Sequence, residues 1–158
     1  FKGITGRMEV ICEKPFKVVV DFAHTPNGLK QALQTLKDIP HRRLIAVFGS
    51  AGLRDAAKRP MMGSLACRLA DKIIITAEDP RTENVNTIIK QIAEGGENKQ
   101  KIIMEPDREK AIKLALSMAK AQDIVGIFGK GHEKSMCYGG KELPWSDQET
   151  VKKALNKI

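Results

Sequence analysis

Five short apolar runs recur along the chain, each separated from the next by an amphipathic stretch. The stretches repeat apolar residues at the i, i+3, i+4, i+7 spacing of one-sided helices, clearest in 28–36 and 61–69. Strands that alternate with helices are joined in parallel through right-handed crossovers. We therefore predict an α/β fold, a Rossmann-like, doubly wound and mostly parallel sheet of about six strands. The five apolar runs are Lys17–Ala23, Arg43–Gly49, Lys72–Thr76, Lys101–Met104 and Asp123–Phe128.

The two ends of the chain carry elements of a different kind. Residues 1–6 hold two glycines and no periodic pattern, which indicates a linker remnant, and an edge strand is expected within 7–17. Residues 136–145 form two short runs around a Gly-Gly pair, a pattern typical of a β-hairpin. We expect this hairpin to close the sheet with an antiparallel edge, and a last helix to be capped by Ser146 or Asp147.

The 158 residues, 42% of them hydrophobic, suffice for one buried core and are too few for two ordinary domains. No apolar run approaches the roughly 20 residues of a membrane helix, and the first residues do not have the layout of a signal peptide. A cytoplasmic protein without a membrane partner is the expectation. Cys12, Cys67 and Cys137 are far apart and odd in number, which favours free thiols over a zinc site.

The formal net charge of +8 favours anionic partners. Its lysines are scattered at helical spacing, and only five Phe, one Tyr and one Trp are present to stack on bases. We therefore expect no nucleic-acid partner, and instead a pocket for phosphates or carboxylates.

Polar clusters follow four of the predicted strands. In parallel α/β sheets the carboxyl ends of the strands meet at one edge, where ligands bind. In the cluster at 78–81 two acids and an arginine flank Pro80. Pro80 restrains its own φ and biases Asp79 away from the helical conformation, which is expected to hold the loop open. Such a loop suits a zwitterionic or anionic ligand. The clusters are 21–26, 49–55, 78–81 and 129–133.

Phosphate-binding and nucleophile motifs are incomplete in this sequence. Gly49 and Gly52 would let backbone amides approach an anion at a helix start, but neither a Walker A loop nor a dinucleotide fingerprint is present. This domain alone is therefore not expected to hold ATP in the P-loop manner. His24 and His132 are acid–base candidates without a Ser or Cys in a nucleophile elbow, which argues against a hydrolytic triad.

Five motifs in order resemble the C-terminal domain of the Mur ligases, and among these the MurE group. The resemblance implies a domain spanning 1–158 of a larger protein, whose N-terminal UDP-sugar domain and central P-loop ATPase domain are absent from this chain. It also implies an ATP-dependent ligase of peptidoglycan precursor synthesis, which uses Mg²⁺ bound mainly by the central domain. The motifs are GRMEVI at 6–11, DFAHTP at 21–26, FGSAGLRDAAKRPMMG at 48–63, AEDPRTE at 77–83 and FGKGHE at 128–133.

MurE-type ligases convert the carboxylate of a UDP-MurNAc-dipeptide, UDP-MurNAc-L-Ala-D-Glu, into an acyl phosphate. A diamino acid, often meso-diaminopimelate, then attacks it. The resemblance implies that Arg54 and Arg81 bind the diaminopimelate carboxylate and that Gly129 and Glu133 hold its distal ammonium. The family motif that contains Arg81 corresponds here to Glu78, Asp79, Pro80 and Arg81.

Two positions of that motif depart from the family pattern, which has Asp-Asn where this chain has Glu78-Asp79, and at the second of these the acid Asp79 replaces a neutral amide. An anionic side chain there is expected to repel the carboxylate or to seek a second ammonium. The resemblance also implies that Asp21 and His24 lie near the nucleotide, and it gives this domain no metal ligand.

Two alternatives stay open. The chain is the corresponding domain of another amide ligase, such as a folylpolyglutamate or cyanophycin synthetase, or it is a stand-alone ligand-binding module. The acceptor specificity separates the first from a MurE-type ligase, and tight binding by the isolated domain would favour the second.

Overall fold

The computed structural model describes residues 6–158, so residues 1–5 of the predicted linker lie outside the described part. The predicted strands and helices are present, with ends that differ from the prediction by at most three residues. They are β1 (Glu9–Cys12), β2 (Lys17–Asp21), α1 (Pro26–Lys37), β3 (Leu44–Phe48), α2 (Lys58–Leu69), β4 (Lys72–Ile75), α3 (Val85–Glu94), β5 (Ile102–Met104), α4 (Arg108–Met118), β6 (Ile124–Phe128), β7 (Ser135–Tyr138), β8 (Lys141–Pro144) and α5 (Asp147–Leu155).

Within residues 6–158, the main sheet has six strands in the order β1-β2-β6-β3-β4-β5. All neighbours from β2 to β5 pair in parallel, and β1 alone pairs antiparallel, with β2. The doubly wound prediction is confirmed. After β5 the chain crosses back and inserts β6 between β2 and β3, so the winding direction reverses at β6.

Helices cover both faces of the sheet because alternate residues of the central strands point to opposite sides. Ala46 and Phe48 of β3 pack with α1, α2 and α3, while Ile45 and Val47 pack with α4 and α5. All five residues of β3 are buried, which explains why its sequence is continuously apolar.

Short polar side chains fix where the helices begin. The carboxylate of Asp107 accepts the Lys110 N–H at the start of α4, and the Ser146 hydroxyl accepts the Glu149 N–H at the start of α5. Asp107 thus caps α4, and Ser146 rather than Asp147 caps the last helix. Asp147 is then free for the buried contact described below.

The hairpin of β7 and β8 forms as predicted, but it does not lie at the edge of the main sheet. It is a separate two-stranded sheet. Its β7 strand binds the loop after β4 instead: the Arg81 N–H donates to the Cys137 carbonyl and the Gly139 N–H donates to the Arg81 carbonyl. The antiparallel edge of the main sheet is β1.

Gly6, the last residue of the predicted linker, is buried, and a Cβ at this position would overlap the backbone of His132. Cys12, Cys67 and Cys137 are free thiols, as expected. Between residues 6 and 158, no helix is long and apolar enough to cross a membrane.

Candidate functional site

The reversal of winding at β6 creates a crevice at the carboxyl edge of the sheet. The segment that follows β6, residues 129–133, lies between the loop after β2 and the loop after β3, because β6 pairs with both strands. In doubly wound sheets ligands bind at such a reversal. The loop after β4 packs against the loop after β3, so four of the predicted polar clusters share this rim, as the parallel sheet requires.

Hydrogen bonds join the loops after β3 and β4. The Gly52 N–H donates to the Asp79 carbonyl over 2.9 Å, and Nη1 of Arg81 donates to the Gly52 carbonyl over 2.9 Å. A Cβ at Gly52 would overlap the carbonyl oxygen of Pro80, and one at Gly49 would overlap that of Thr76. These glycines are therefore needed for close packing of two loops.

The expectation that Gly49 and Gly52 stand at a helix start is wrong. The helix α2 begins only at Lys58, and its N-terminus carries no side-chain cap. The turn between is irregular, with Leu53 at φ 58°.

A buried arginine, Arg59, connects the loops after β3 and β4. Arg59 on α2 is 1% exposed and forms a two-pronged ion pair with Glu83, at 2.6 and 2.9 Å, and it also donates to the Ala51 carbonyl. The Arg59 hydrogen bonds, helped by the Leu53 N–H, lower the pKa of Glu83 to about 2. The position of the loop that carries Arg81 is thus fixed relative to the loop that carries Arg54.

Asp79 lies in the left-handed region at φ 46° rather than in the extended conformation that a following proline favours. Its carboxylate accepts hydrogen bonds from Lys130 Nζ at 2.9 and 3.0 Å and from the Cys137 N–H at 2.8 Å. These three bonds explain the conformation, which an aspartate tolerates better than most residues. The loop is closed onto the hairpin instead of being splayed open.

Lys130 connects this loop to the one after β6. Its side chain is 1% exposed, and Nζ lies 3.3 Å from the Glu133 carboxylate as well as against Asp79. Glu133 itself is 42% exposed. The ammonium of Lys130 therefore neutralises the unexpected negative charge of Asp79 from within the protein, and Glu133 keeps a face toward solvent.

Glu78 is buried beside Gly129. Burial raises the pKa of its carboxyl to about 8, although Arg108, Lys58 and Lys130 oppose the change. Each of these cations is already bonded elsewhere, to Asp147, to the His24 carbonyl and to Asp79 respectively.

Several polar atoms around Glu78 are unpaired in the described part of the chain. These are Oε1 of Glu78, Oγ of Ser50 and Oγ1 of Thr76, at the ends of β3 and β4. Gly129 has φ 113°, and a Cβ there would overlap Oε1 of Glu78. Only glycine fits at this contact.

Arg54 and Arg81 differ in how firmly they are held. Arg81 is half-buried at φ 55°, with its guanidinium bonded to Gly52 and its backbone bonded to β7. Arg54 is exposed and, within residues 6–158, makes no hydrogen bond or ion pair. Both stand on loops that touch, which leaves their joint binding of a carboxylate as a prediction.

Asp21 and His24 line a cavity of about 400 Å³ between the β2–α1 loop and α1. The Asp21 carboxylate accepts the Met8 and Ala23 N–H groups, and Nδ1 of His24 bonds the Phe22 carbonyl. The two predicted nucleotide-binding residues therefore share one cavity, where backbone contacts fix their orientation. No cluster of His, Cys, Asp or Glu with the arrangement of a metal site occurs in residues 6–158.

Sequence reasoning missed the residues that hold the rim together. Lys130 lies between two glycines and Arg59 lies on a helix, so both look like surface residues in the sequence. Arg108 was also missed: it is fully buried, pairs with Asp147 at 2.8 and 2.9 Å, and donates to the carbonyl of Phe128 at the end of β6. For Lys130 and Arg59 the available signal was their position inside or shortly after a polar cluster, whereas Arg108 lies in none of the clusters.

Fold and rim together define a doubly wound α/β domain with charged loops at the carboxyl edge of its sheet. Residues 6–131 match the family model described as Mur ligase, glutamate ligase domain. The chain belongs to the Mur ligase family, and it corresponds to the C-terminal domain of these enzymes.

Two relatives with high similarity carry the same name. The UDP-N-acetylmuramoyl-L-alanyl-D-glutamate–2,6-diaminopimelate ligase of Aquifex aeolicus is 44% identical over 153 residues, which cover 97% of this chain and 32% of that protein. A solved structure of a ligase with the same name superposes with a TM-score of 0.90 at 38% identity, covering 99% of this chain and 32% of the other. The chain thus spans about a third of these relatives.

A more distant structure shares the fold alone. The folylpolyglutamate synthase/dihydrofolate synthase of Yersinia pestis, solved with AMPPNP and a Mn ion, has a TM-score of 0.64 at 24% identity, covering 82% of this chain and 29% of the other. The folylpolyglutamate alternative therefore fits less well than the MurE-type relatives.

Proposed function

We propose that this chain is the amino-acid-binding domain of a MurE-type ligase, which adds a diamino acid, meso-diaminopimelate, to UDP-MurNAc-L-Ala-D-Glu at the expense of ATP. In this reaction the amine of the diamino acid attacks the acyl phosphate of the dipeptide. A C–N bond forms, the C–O bond to phosphate breaks, and the amine loses a proton. This domain holds and orients the amine donor.

The observation that carries the proposal is the joining of three loops into one rim. Arg81 bonds the loop after β3 through Gly52, and Asp79 bonds the loop after β6 through Lys130. Residues distant along the chain, including the proposed ligands Arg81 and Glu133, are thereby held on one edge.

The proposed ligands match the chemistry of a diamino acid with a second carboxylate. The planar guanidinium of Arg81 suits a carboxylate, since it donates two parallel hydrogen bonds. The half-exposed carboxylate of Glu133 and the Gly129 carbonyl suit an ammonium. A ligand with both charges meets both partners, whereas lysine leaves the arginine unpaired.

The cavity beside Asp21 and His24 is the proposed contact with the nucleotide. Arg7 also lines it, so an anionic phosphate would meet a cation there. When bound, the nucleotide would supply the phosphoryl group that activates the dipeptide carboxylate, and Mg²⁺ would neutralise the charge of its phosphates. Both are expected to be held mainly by a central ATPase domain, as the cavity is open and this domain has no P-loop.

Turnover by the full-length ligase with the Arg81→Ala substitution tests the proposal. We expect the KM for meso-diaminopimelate to rise at least about tenfold, equivalent to about 1.4 kcal/mol, with little change in the KM for ATP. Arg68→Ala is the matched control, because Arg68 is an exposed arginine of α2 remote from the rim loops.

The amino-acid specificity of the wild-type enzyme provides the second arm of this test. Turnover is expected with meso-diaminopimelate and much less with lysine or glutamate. Glutamate as the sole substrate would defeat the proposal in favour of a folylpolyglutamate-type ligase. An unchanged KM in Arg81→Ala would remove Arg81 from the pocket.

A further inference from the structure

We infer that Lys130 is a specificity-determining residue of the amino-acid pocket, which acts by cancelling the charge of Asp79 so that the rim accepts a carboxylate. The inference rests on the proposed function and names a residue that the motif comparison did not assign to the pocket. Lys130 does not touch the ligand in this view. It positions and neutralises the acid beside the carboxylate-binding arginine.

The contact geometry supports an internal role for Lys130. The side chain is 1% exposed, so its ammonium has almost no access to water, and both oxygens of Asp79 lie within 3.0 Å of Nζ. A buried ammonium requires such pairing. Asp79 is 15% exposed and accepts one further bond, from the Cys137 N–H.

The charge balance of the rim depends on this pair. Arg54 and Arg81 contribute two positive charges, while Asp79 and Glu133 contribute two negative charges. Lys130 offsets the charge of Asp79, and without it the rim loses one positive charge and keeps an uncompensated carboxylate two residues from Arg81. An uncompensated acid at that place repels a ligand carboxylate and attracts an ammonium. Loss of Lys130 should therefore shift the preference from diaminopimelate toward lysine.

The same reasoning predicts that a second substitution, Asp79→Asn, compensates for the loss of Lys130. In Asp79→Asn the amide oxygen still accepts the Cys137 N–H, and asparagine tolerates the left-handed conformation at this position. The amide carries no charge, so it needs no ammonium partner. In the Asp79→Asn background, Lys130→Met should then have little effect on specificity.

The experiment measures kcat/KM of the full-length ligase for meso-diaminopimelate and for L-lysine. The variants are Lys130→Met, Asp79→Asn and the double variant. The ratio of the two kcat/KM values is the readout, because a general loss of active enzyme cancels in it. Lys113→Met is the matched control, since it removes a lysine from the exposed ion pair with Glu109.

In Lys130→Met we expect the ratio to fall by at least about tenfold, and in the double variant to return to within about threefold of the wild-type value. Lys113→Met should leave it unchanged. A wild-type ratio in Lys130→Met, or an equal fall in the double variant, would overturn the inference while the proposed function stands.

The remaining outcomes are also decisive. If Lys130→Met does not fold, the double variant decides: a folded double variant with the wild-type ratio supports charge cancellation, and a reduced ratio overturns it. Asp79→Asn alone should keep or raise the preference for diaminopimelate, and a fall would contradict the charge argument. A wild-type enzyme without activity on diaminopimelate would defeat the proposed function, and this inference with it.

Discussion

The carboxyl group of Glu78 should make the stability of this domain depend on pH in a range where most carboxyls no longer titrate. Glu78 is 5% exposed, Oε1 has no hydrogen-bond partner among residues 6–158, and its pKa is raised to about 8 because burial disfavours the charged form. The folded protein therefore holds a proton at pH 7 that the unfolded chain, with an ordinary pKa of 4.5, has released. The substitution Glu78→Gln removes this proton exchange.

The sign follows from proton binding. Because the folded-state pKa is the higher one, the contribution of Glu78 to stability is complete below pH 4.5 and is lost as the pH rises through 8. Between these values the wild-type protein loses about 1.4 kcal/mol of unfolding free energy per pH unit relative to Glu78→Gln. From pH 5 to pH 8 the difference should change by roughly 3 to 4 kcal/mol.

Urea unfolding of the 158-residue chain at pH 5, 6, 7 and 8 measures this difference. Glu97→Gln is the matched control: it makes the same chemical change at an exposed position. Its stability should run parallel to the wild type over the whole range. If the wild type and Glu78→Gln also run parallel, Glu78 is ionised in the folded protein and the account of its burial is wrong.

Two further predictions concern the packing of the rim loops. Arg59→Met should lower the unfolding free energy by about 3 kcal/mol at pH 7, because it leaves Glu83 without its buried partner. This loss of stability should shrink as the pH falls from 4.5 through 2, because Glu83 takes up a proton in this range. Urea unfolding with Arg68→Met as the exposed control measures both effects, and an equal loss in the two variants would contradict the role of Arg59 in connecting the loops. Gly52→Ala should cost about 1–3 kcal/mol in urea unfolding and raise the KM for the amino acid, because the new Cβ overlaps the Pro80 carbonyl. Gly140→Ala, where nothing lies within 4 Å, should be neutral, and a neutral Gly52→Ala would show that the loops can separate freely.

The order of strands and helices could be predicted from the sequence because it depends on local periodicity. The run Ile73–Ile75 is apolar since both faces of β4 are covered, and the spacing of Leu29, Leu33 and Leu36 follows from one buried face of α1. Such patterns can be recognised from residues that lie close together in the sequence. The meeting of the polar clusters at one edge of the sheet could be predicted from the parallel arrangement of the strands alone.

The placement of the hairpin could not be predicted in the same way. Its turn residues determine that β7 and β8 pair, but the partner of β7 is the loop at Arg81, more than 50 residues earlier in the chain. That loop accepts a strand because Asp79 and Arg81 adopt left-handed conformations. The proline rule favours extended backbone at Asp79, and the Lys130 ion pair overrides it.

Charged residues were the least predictable part of the site. Glu78 and Lys130 belong to segments rich in charge and glycine, which in a sequence indicate solvent exposure. Both are buried, because the hairpin and the start of α4 cover the rim from one side, where Arg108 and Asp147 form a fully buried pair. Burial of this kind depends on contacts between segments far apart in the chain.

These buried charges explain how a rim with three cations around one carboxyl can still leave that carboxyl neutral. A cation lowers the pKa of an acid only as far as its charge is not already compensated, and Arg108 and Lys130 each have a closer carboxylate in Asp147 and Asp79. Glu78 therefore experiences mainly the loss of water. Replacing Asp79 by asparagine frees Lys130 to face Glu78, so the same substitution that tests amino-acid specificity should also lower the pKa of Glu78. The unfolding free energies of the wild type and Glu78→Gln should diverge with pH, and those of Asp79→Asn and Asp79→Asn/Glu78→Gln should diverge less. An equally large divergence in the Asp79→Asn background would show that Lys130 does not interact with both acids.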